Sequence, residues 1–218
     1  MFPSECAPNR RSFLKTAAAF SAGVSAVSLS PQPAFSEDAE INIIGPKKGY
    51  SPQIGTLVSM MTWMRSAMLM SVKGMSQKDL DYLIDDRANT IGSLLMHLAA
   101  TDRIYQINTF EGNSLKELPA SYKQKWGAAM ELGDAGRKAI KGHDLDYYLN
   151  MLGEVREQTF AEFRKRDDNW LLAVDKEWGW GPTNNYCKWF HVCEHESNHN
   201  GQIKFLRKRL PGAKGDSE

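Results

Sequence analysis

Two histidines near the C-terminal end of the sequence have a spacing that suits metal binding. His195, Glu196 and His199 form the pattern H-E-x-x-H, which is a signature of zinc peptidases. Residues four apart on a helix lie on one face, so both imidazoles can converge on one ion. The motif therefore leaves three alternatives: a peptidase with Glu196 as general base, another kind of metalloenzyme, or a helix that carries two histidines without chemistry.

A third ligand has to come from another part of the chain. His191 shares the helix face of the pair, but it lies about 12 Å from His199 along the helix axis, which is too far for both to bind one ion. His97 stands between Leu94 and Leu98 of a second apolar stripe, so its side chain should point into the protein. His97 is thus the best candidate for the third ligand, with a hydrogen-bonded core histidine as an equal alternative.

The residues after His199 argue against the peptidase. A third ligand usually follows the peptidase motif, yet this tail has no histidine, and its acidic residues Asp216 and Glu218 are at the very end. No strand that could align a peptide backbone is evident. If the protein is not a peptidase, Glu196 is expected to face solvent or to hydrogen-bond to a metal ligand. Glu194, His191 and the aromatic residues of the preceding loop could shape the pocket, and no catalytic residue is assigned.

Helical periodicity dominates the chain after residue 50 and predicts an all-α fold. Four long helices are expected, at 51–70, 87–110, 144–166 and from Thr183 or Asn184 to Leu210. Ser51 and Asp144 are the expected N-caps, and shorter helices are expected at 76–80 and 122–132. Four long helices with one irregular connection predict a four-helix bundle.

The first 36 residues predict a twin-arginine signal peptide. Residues 10–15 match the export pattern R-R-x-F-L-K, a mild apolar run follows, and Ala34 and Ser36 suit a signal peptidase. A short membrane anchor is the alternative, but the run is too short and too weakly apolar to span a bilayer well. Residues 37–218 would then be a periplasmic or secreted domain with no stable membrane anchor, and the twin-arginine translocase would be a transient partner.

Charge and cysteine content narrow the range of functions. The formal net charge is +1, so no broad basic surface for nucleic acid is implied. Cys6 would leave with the signal. If Cys187 and Cys193 lie on one helix, their side chains point in different directions and cannot form a disulfide. If Cys187 precedes the helix, a disulfide between them is possible. A homodimer is compatible with the sequence.

Three stretches resemble the DinB/YfiT-like superfamily of metalloenzymes. They are HLAATDRIYQ around His97, DLDYYLNMLGEVREQTFAEF from Asp144, and WFHVCEHESNHNGQI from Trp189, within a resemblance that covers roughly residues 51–210. The resemblance implies a four-helix bundle that binds a divalent ion through three histidines, which correspond to His97, His195 and His199. The family often has arginine where this chain has Asn200.

The resemblance also implies a class of chemistry, which is mostly the transfer of small cellular thiols to electrophiles. We therefore predict an exported metalloenzyme that catalyses metal-assisted nucleophilic transfer or hydrolysis on a small-molecule substrate. Zinc is the expected ion, with nickel, iron and manganese as alternatives. A non-catalytic metal-binding bundle is the main alternative, and a zinc peptidase is the less favoured one. An open coordination position that faces a cleft would favour the enzyme.

Overall fold

Helices make up most of the computed structural model, which describes residues 40–213. In chain order the elements are α1 (Pro52–Val72), α2 (Gln77–Leu80), α3 (Ile91–Thr109), a 3₁₀ turn (Leu115–Glu117), α4 (Ala120–Glu131), α5 (Gly133–Ala139), α6 (Leu145–Phe163), α7 (Asp168–Leu172), β1 (Val174–Asp175), β2 (Thr183–Asn184) and α8 (Asn185–Arg207). Helix α3 packs on α6 and α8, and α1 packs on α8 and α6. The predicted all-α four-helix bundle is confirmed.

Side-chain caps fix where three of the long helices begin. Asp144 accepts a hydrogen bond from the backbone N–H of Tyr147 and starts α6, as predicted. Asn184 caps α8 in the same way. The prediction that the second long helix starts at Arg87 is wrong, because Thr90 accepts the backbone N–H of Ser93 and α3 starts at Ile91.

The N-terminus of α1 is capped by a residue that is distant in sequence. Ser51 occupies the N-cap position with Pro52 after it, but the Ser51 side chain makes no capping hydrogen bond within the helix. Instead, the carboxylate of Asp168 in α7 accepts the backbone N–H groups of Gln53 and Ile54 and the hydroxyl of Ser51. This contact ties α7 to α1.

Two irregular segments hold structure that hydrophobic periodicity does not indicate. The short helix predicted at 122–132 is present as α4, but α5 follows it at once, and the break between them is Leu132 with a φ of 57°. The loop after α6 contains α7 and an antiparallel pairing of β1 with β2, in which Val174 faces Asn184. Two-residue strands are too short to leave an alternating pattern.

A layer of four buried charges crosses the centre of the bundle, with one residue from each long helix. Arg156 of α6 lies 2.8 Å from both Asp102 of α3 and Glu196 of α8, and Arg65 of α1 also pairs with Glu196. The two arginines further donate to backbone carbonyl groups of the bundle. The layer is formally neutral and its members are at most 9% exposed, so each charge is compensated by a partner rather than by water.

The charged layer separates two hydrophobic clusters along the helices. On α1, Met61 belongs to one cluster and Met68 to the other, and Arg65 lies between them. On α8, Val192 and Ile203 are divided in the same way.

None of the helices within residues 40–213 is long and apolar enough to cross a membrane. The predicted signal at residues 1–36 lies outside the described residues.

Candidate metal centre

Helices α3 and α8 bring the three predicted histidines together. His97 comes from the middle of α3, and His195 and His199 come from successive turns of α8. One ring nitrogen from each lies within 4.8 Å of the others, and Nε2 of His97 is 2.9 Å from Nε2 of His195. Ligand nitrogens around a tetrahedral zinc ion lie about 3.3 Å apart, from bonds of roughly 2.0–2.1 Å. The cluster could therefore hold one metal ion.

The second nitrogens of two rings are engaged in a way that suits metal ligands. Nδ1 of His97 is 2.8 Å from the backbone carbonyl oxygen of Ala129 in α4. Nδ1 of His199 is 3.1 Å from Oε1 of Gln202, one turn further along α8. When Nδ1–H donates to these oxygens, the lone pair of each imidazole is left on Nε2, where it can bind a metal.

Burial keeps the imidazoles neutral. Loss of solvation, together with a smaller effect of the neighbouring His199, lowers the pKa of His97 to about 4, although the hydrogen bond to the Ala129 carbonyl acts in the opposite direction. The pKa of His195 falls to about 3, because burial and the nearby imidazoles of His199, His97 and His191 all disfavour its charged form. The pKa of His199 is also lowered by burial. Neutral imidazoles are what metal binding requires, so the residues fit a divalent ion.

His191 lies beside this cluster but is not a member of it. Its ring centroid is 5.3 Å from that of His195, and its Nδ1 shares a hydrogen bond of 2.7 Å with the hydroxyl of Tyr105. The spacing argument that places it outside the ligand set agrees with this geometry. His143 is elsewhere in the chain and stacks on Tyr147 with ring centroids 3.8 Å apart.

Glu196 has a different environment from the one predicted. It does not face solvent, because it is 1% exposed. Its side chain lies in the charged layer and does not hydrogen-bond to one of the clustered histidines. Both of its carboxylate oxygens accept hydrogen bonds from guanidinium groups of Arg65 and Arg156. Burial alone would raise the pKa of Glu196, but the two arginines outweigh it and hold the pKa below its ordinary value. A carboxylate bound in this way is not placed to act as the general base of a peptidase.

A cleft of about 580 Å³ opens onto His97 and His195. Helix α3, the 112–116 segment, the loop between β1 and β2, and α8 surround it. The residues that line its walls include Ile104, Tyr105, Leu115, Met130, Trp178, Trp180 and His191. Its volume is in the range of pockets that bind small molecules. Sequence reasoning pointed to the aromatic residues of the loop before α8 without ranking them, and the chain segment W-G-W-G-P was the available signal.

A buried lysine holds the β1–β2 loop against the bundle. Lys188 of α8 is 2% exposed, and its Nζ lies 2.7 Å from Oδ2 of Asp175 and 2.9 Å from Oδ1 of Asn108. The same ammonium group sits 4.2 Å from the ring of Trp178. These contacts attach Trp178 to α3 and α8, and Trp178, Trp180 and Tyr105 together form the aromatic wall of the cleft.

Cys187 and Cys193 both lie within α8 as free thiols. This placement excludes the disulfide between them that the sequence left as a possibility.

Comparison with known proteins places this arrangement in a family. A family model described as mycothiol-S-transferase matches residues 56–212, which contain all three clustered histidines. A crystal structure of a protein from Streptococcus pneumoniae has the same fold, with a TM-score of 0.56 and 14% identity over 72% of this chain and 92% of that chain. No curated protein sequence matches the chain. Since the family model covers most of the helical domain, the chain belongs to the mycothiol-S-transferase family of DinB/YfiT-like proteins.

Proposed function

We propose that the protein is an exported, metal-dependent transferase that joins a small thiol to an electrophilic small molecule. The observation that carries the proposal is the position of the histidine cluster at the floor of a cleft, where His97 and His195 reach the cleft surface. Within residues 40–213, no fourth histidine, cysteine or carboxylate joins the group of three. A site with three protein ligands and one accessible side is typical of catalytic rather than structural metal centres.

The donor set indicates the chemistry that an ion would supply. Three neutral imidazoles leave a divalent ion with its full charge, and such an ion lowers the pKa of a bound thiol or water. Imidazole nitrogens suit zinc, nickel and iron, and zinc also accepts thiolate readily. We therefore expect zinc at His97, His195 and His199, with nickel, iron or manganese as alternatives.

The chain supplies the remaining functions of a transferase. In the transfer, the thiol loses its proton, its sulfur forms a bond to a carbon of the electrophile, and the leaving group departs with the bonding electrons. His191 is a neutral base in the cleft wall, because burial lowers its pKa. When its Nδ1–H donates to the Tyr105 oxygen, Nε2 is free to accept the proton from the thiol. The aromatic wall would hold the electrophile and limit the access of water.

The experiment is a transfer assay with defined metal content. Purified protein is loaded with zinc, nickel, iron(II) or manganese and is incubated with an electrophile and one of several thiols, including cysteine, glutathione and mycothiol. We expect a thioether product, detected by mass spectrometry, that depends on the metal and disappears in His97→Ala. His143→Ala is the matched control and should retain activity, since this histidine lies outside the cleft.

Three results would contradict the proposal or its assignment to the histidine cluster. Formation of hydrolysed electrophile without thioether would show that water rather than a thiol is the nucleophile. Stoichiometric metal without any product from a broad panel of electrophiles would favour the non-catalytic metal-binding bundle. If the single variants His143→Ala and His97→Ala both lost activity, the loss would reflect damage to the fold rather than removal of a metal ligand.

A further inference from the structure

The cleft carries an indole that is largely uncovered. Trp180 lines the cleft and is 58% exposed, although a large aromatic side chain gains stability from burial. Its ring packs edge-on against Trp178, with centroids 5.6 Å apart, and against His191, with centroids 4.9 Å apart. These contacts hold the indole while leaving more than half of its surface free, and an apolar surface exposed within a pocket is typical of a binding site.

Other apolar and aromatic side chains line the same cleft. Ile104 and Tyr105 of α3 and Leu115 of the 3₁₀ turn also line the cleft. The ring of Tyr105 lies 5.8 Å from that of Trp178, so the aromatic wall continues from the indoles towards α3. A ligand beside Trp180 would therefore contact ring faces and aliphatic side chains in the same cleft as the histidines.

Charge contributes little to recognition at this wall. Asp175 is paired with the buried ammonium of Lys188, so its charge is compensated within the protein. Glu177 and Lys116, which also line the cleft, carry opposite charges. Shape and apolar contact are then the features by which the wall can select a ligand.

We infer that the electrophile is a planar aromatic molecule that stacks on Trp180 while its reactive carbon points towards His97 and His195. The inference rests on the proposed function, because it names the substrate class of that same site. Stacking on an exposed indole adds to the area that is buried, and it favours a flat ring over a puckered one of equal size.

Calorimetric titration with an unreactive probe tests the inference. The probe is 2-naphthalenemethanol, and decahydro-2-naphthalenemethanol, which has the same number of carbon atoms, serves as the non-planar comparison. We expect the zinc-loaded protein to bind the naphthalene and to bind the decahydronaphthalene about three- to tenfold more weakly. Trp180→Ala should weaken naphthalene binding by about tenfold or more, whereas Trp180→Phe should keep most of it. Trp63→Ala is the matched control, because Trp63 is 42% exposed on α1 and does not line the cleft.

The outcomes separate this inference from the proposed function. Binding of the probe requires no thiol and no turnover, so a wild-type protein that binds it with the expected Trp180 dependence supports the inference even if no thioether ever forms. Conversely, equal kcat/KM of wild type and Trp180→Ala with aromatic electrophiles would overturn the inference while transfer itself stands. Absence of naphthalene binding to the wild type, or equal affinity for the two probes, would also overturn it.

Discussion

Replacement of Glu196 by glutamine tests whether the charged layer or a peptidase reaction explains this residue. The substitution keeps the size of the side chain and removes its negative charge. Arg65 and Arg156 would then share the single carboxylate of Asp102, which lies 2.8 Å from Arg156 but 3.7 Å from Arg65. One buried guanidinium group is thereby left without a close counter-charge.

The expected magnitude follows from the burial of the pair. Removal of one partner from a buried ion pair typically costs about 3–5 kcal/mol of folding free energy. Glutamine retains an oxygen that can still accept a hydrogen bond, and Asp102 compensates part of the charge, so we expect about 3 kcal/mol. For a domain of this size, such a loss corresponds to a Tm that is lower by about 6–12 °C.

The assay is thermal and urea unfolding followed by circular dichroism at neutral pH. Glu194→Gln provides the matched control, because Glu194 lies on the same helix and is exposed. Its substitution should change the unfolding free energy by less than about 0.5 kcal/mol. If Glu196→Gln were as stable as this control, the charged layer would not contribute as argued.

The pH dependence of the difference gives a second measurement. The folded pKa of Glu196 lies below its ordinary value of 4.5, because the two arginines outweigh the effect of burial. A depressed pKa contributes stability that is fully present above the unfolded pKa and is lost as the pH falls through the folded pKa. The stability gap between wild type and Glu196→Gln should therefore be constant above about pH 5 and should narrow below about pH 4. A gap that widens on acidification would have the wrong sign for this mechanism.

Three further predictions concern the metal and export. Each single replacement of a clustered histidine by alanine should lower the metal content per chain after dialysis, whereas His191→Ala should retain the metal; full occupancy in His97→Ala would contradict the ligand set. Burial lowers the pKa of His97 to about 4 and of His195 to about 3. Metal should therefore stay bound at about pH 6 and be released as the pH falls further. Complete release of the metal already at about pH 6 would argue against buried ligands. Replacement of Arg10 and Arg11 by lysine should block export in a fractionation experiment, and unchanged export would refute the signal prediction.

Local spacing explains why much of the site could be predicted. The pair His195 and His199 is set by helical geometry alone. His97 lies in a leucine stripe that has to face the core, and the DinB/YfiT-like resemblance then implied a ligand there rather than a core histidine. The structure brings the three together because both helices follow the predicted periodicity. The same reasoning placed His191 outside the cluster, since the axial rise of a helix does not depend on tertiary contacts.

Long-range pairing explains what could not be predicted. Arg65, Asp102 and Arg156 each resemble ordinary surface charges in their own helices, and only packing shows that they meet Glu196. The cap of α1 by Asp168 depends on the position of α7, which the sequence did not indicate. The position of the β1–β2 loop could not be predicted for a similar reason, because it depends on the contact between Lys188 and Asp175 rather than on strand periodicity.

The charged layer and the histidine cluster are connected through the rotation of α8. Successive residues of a helix are about 100° apart, so Glu196 projects from α8 about 100° around the axis from His195 and about 60° from His199. When Arg65 and Arg156 hold Glu196 at the bundle centre, they also set the direction in which the two histidines project. Asp102 constrains α3 in the same manner, and His97 lies on that helix. A motif that suggests a peptidase base is thus explained by a buried charge that orients the ligand helices, which is why Glu196 can be adjacent to a ligand in sequence and still be separate from the cleft.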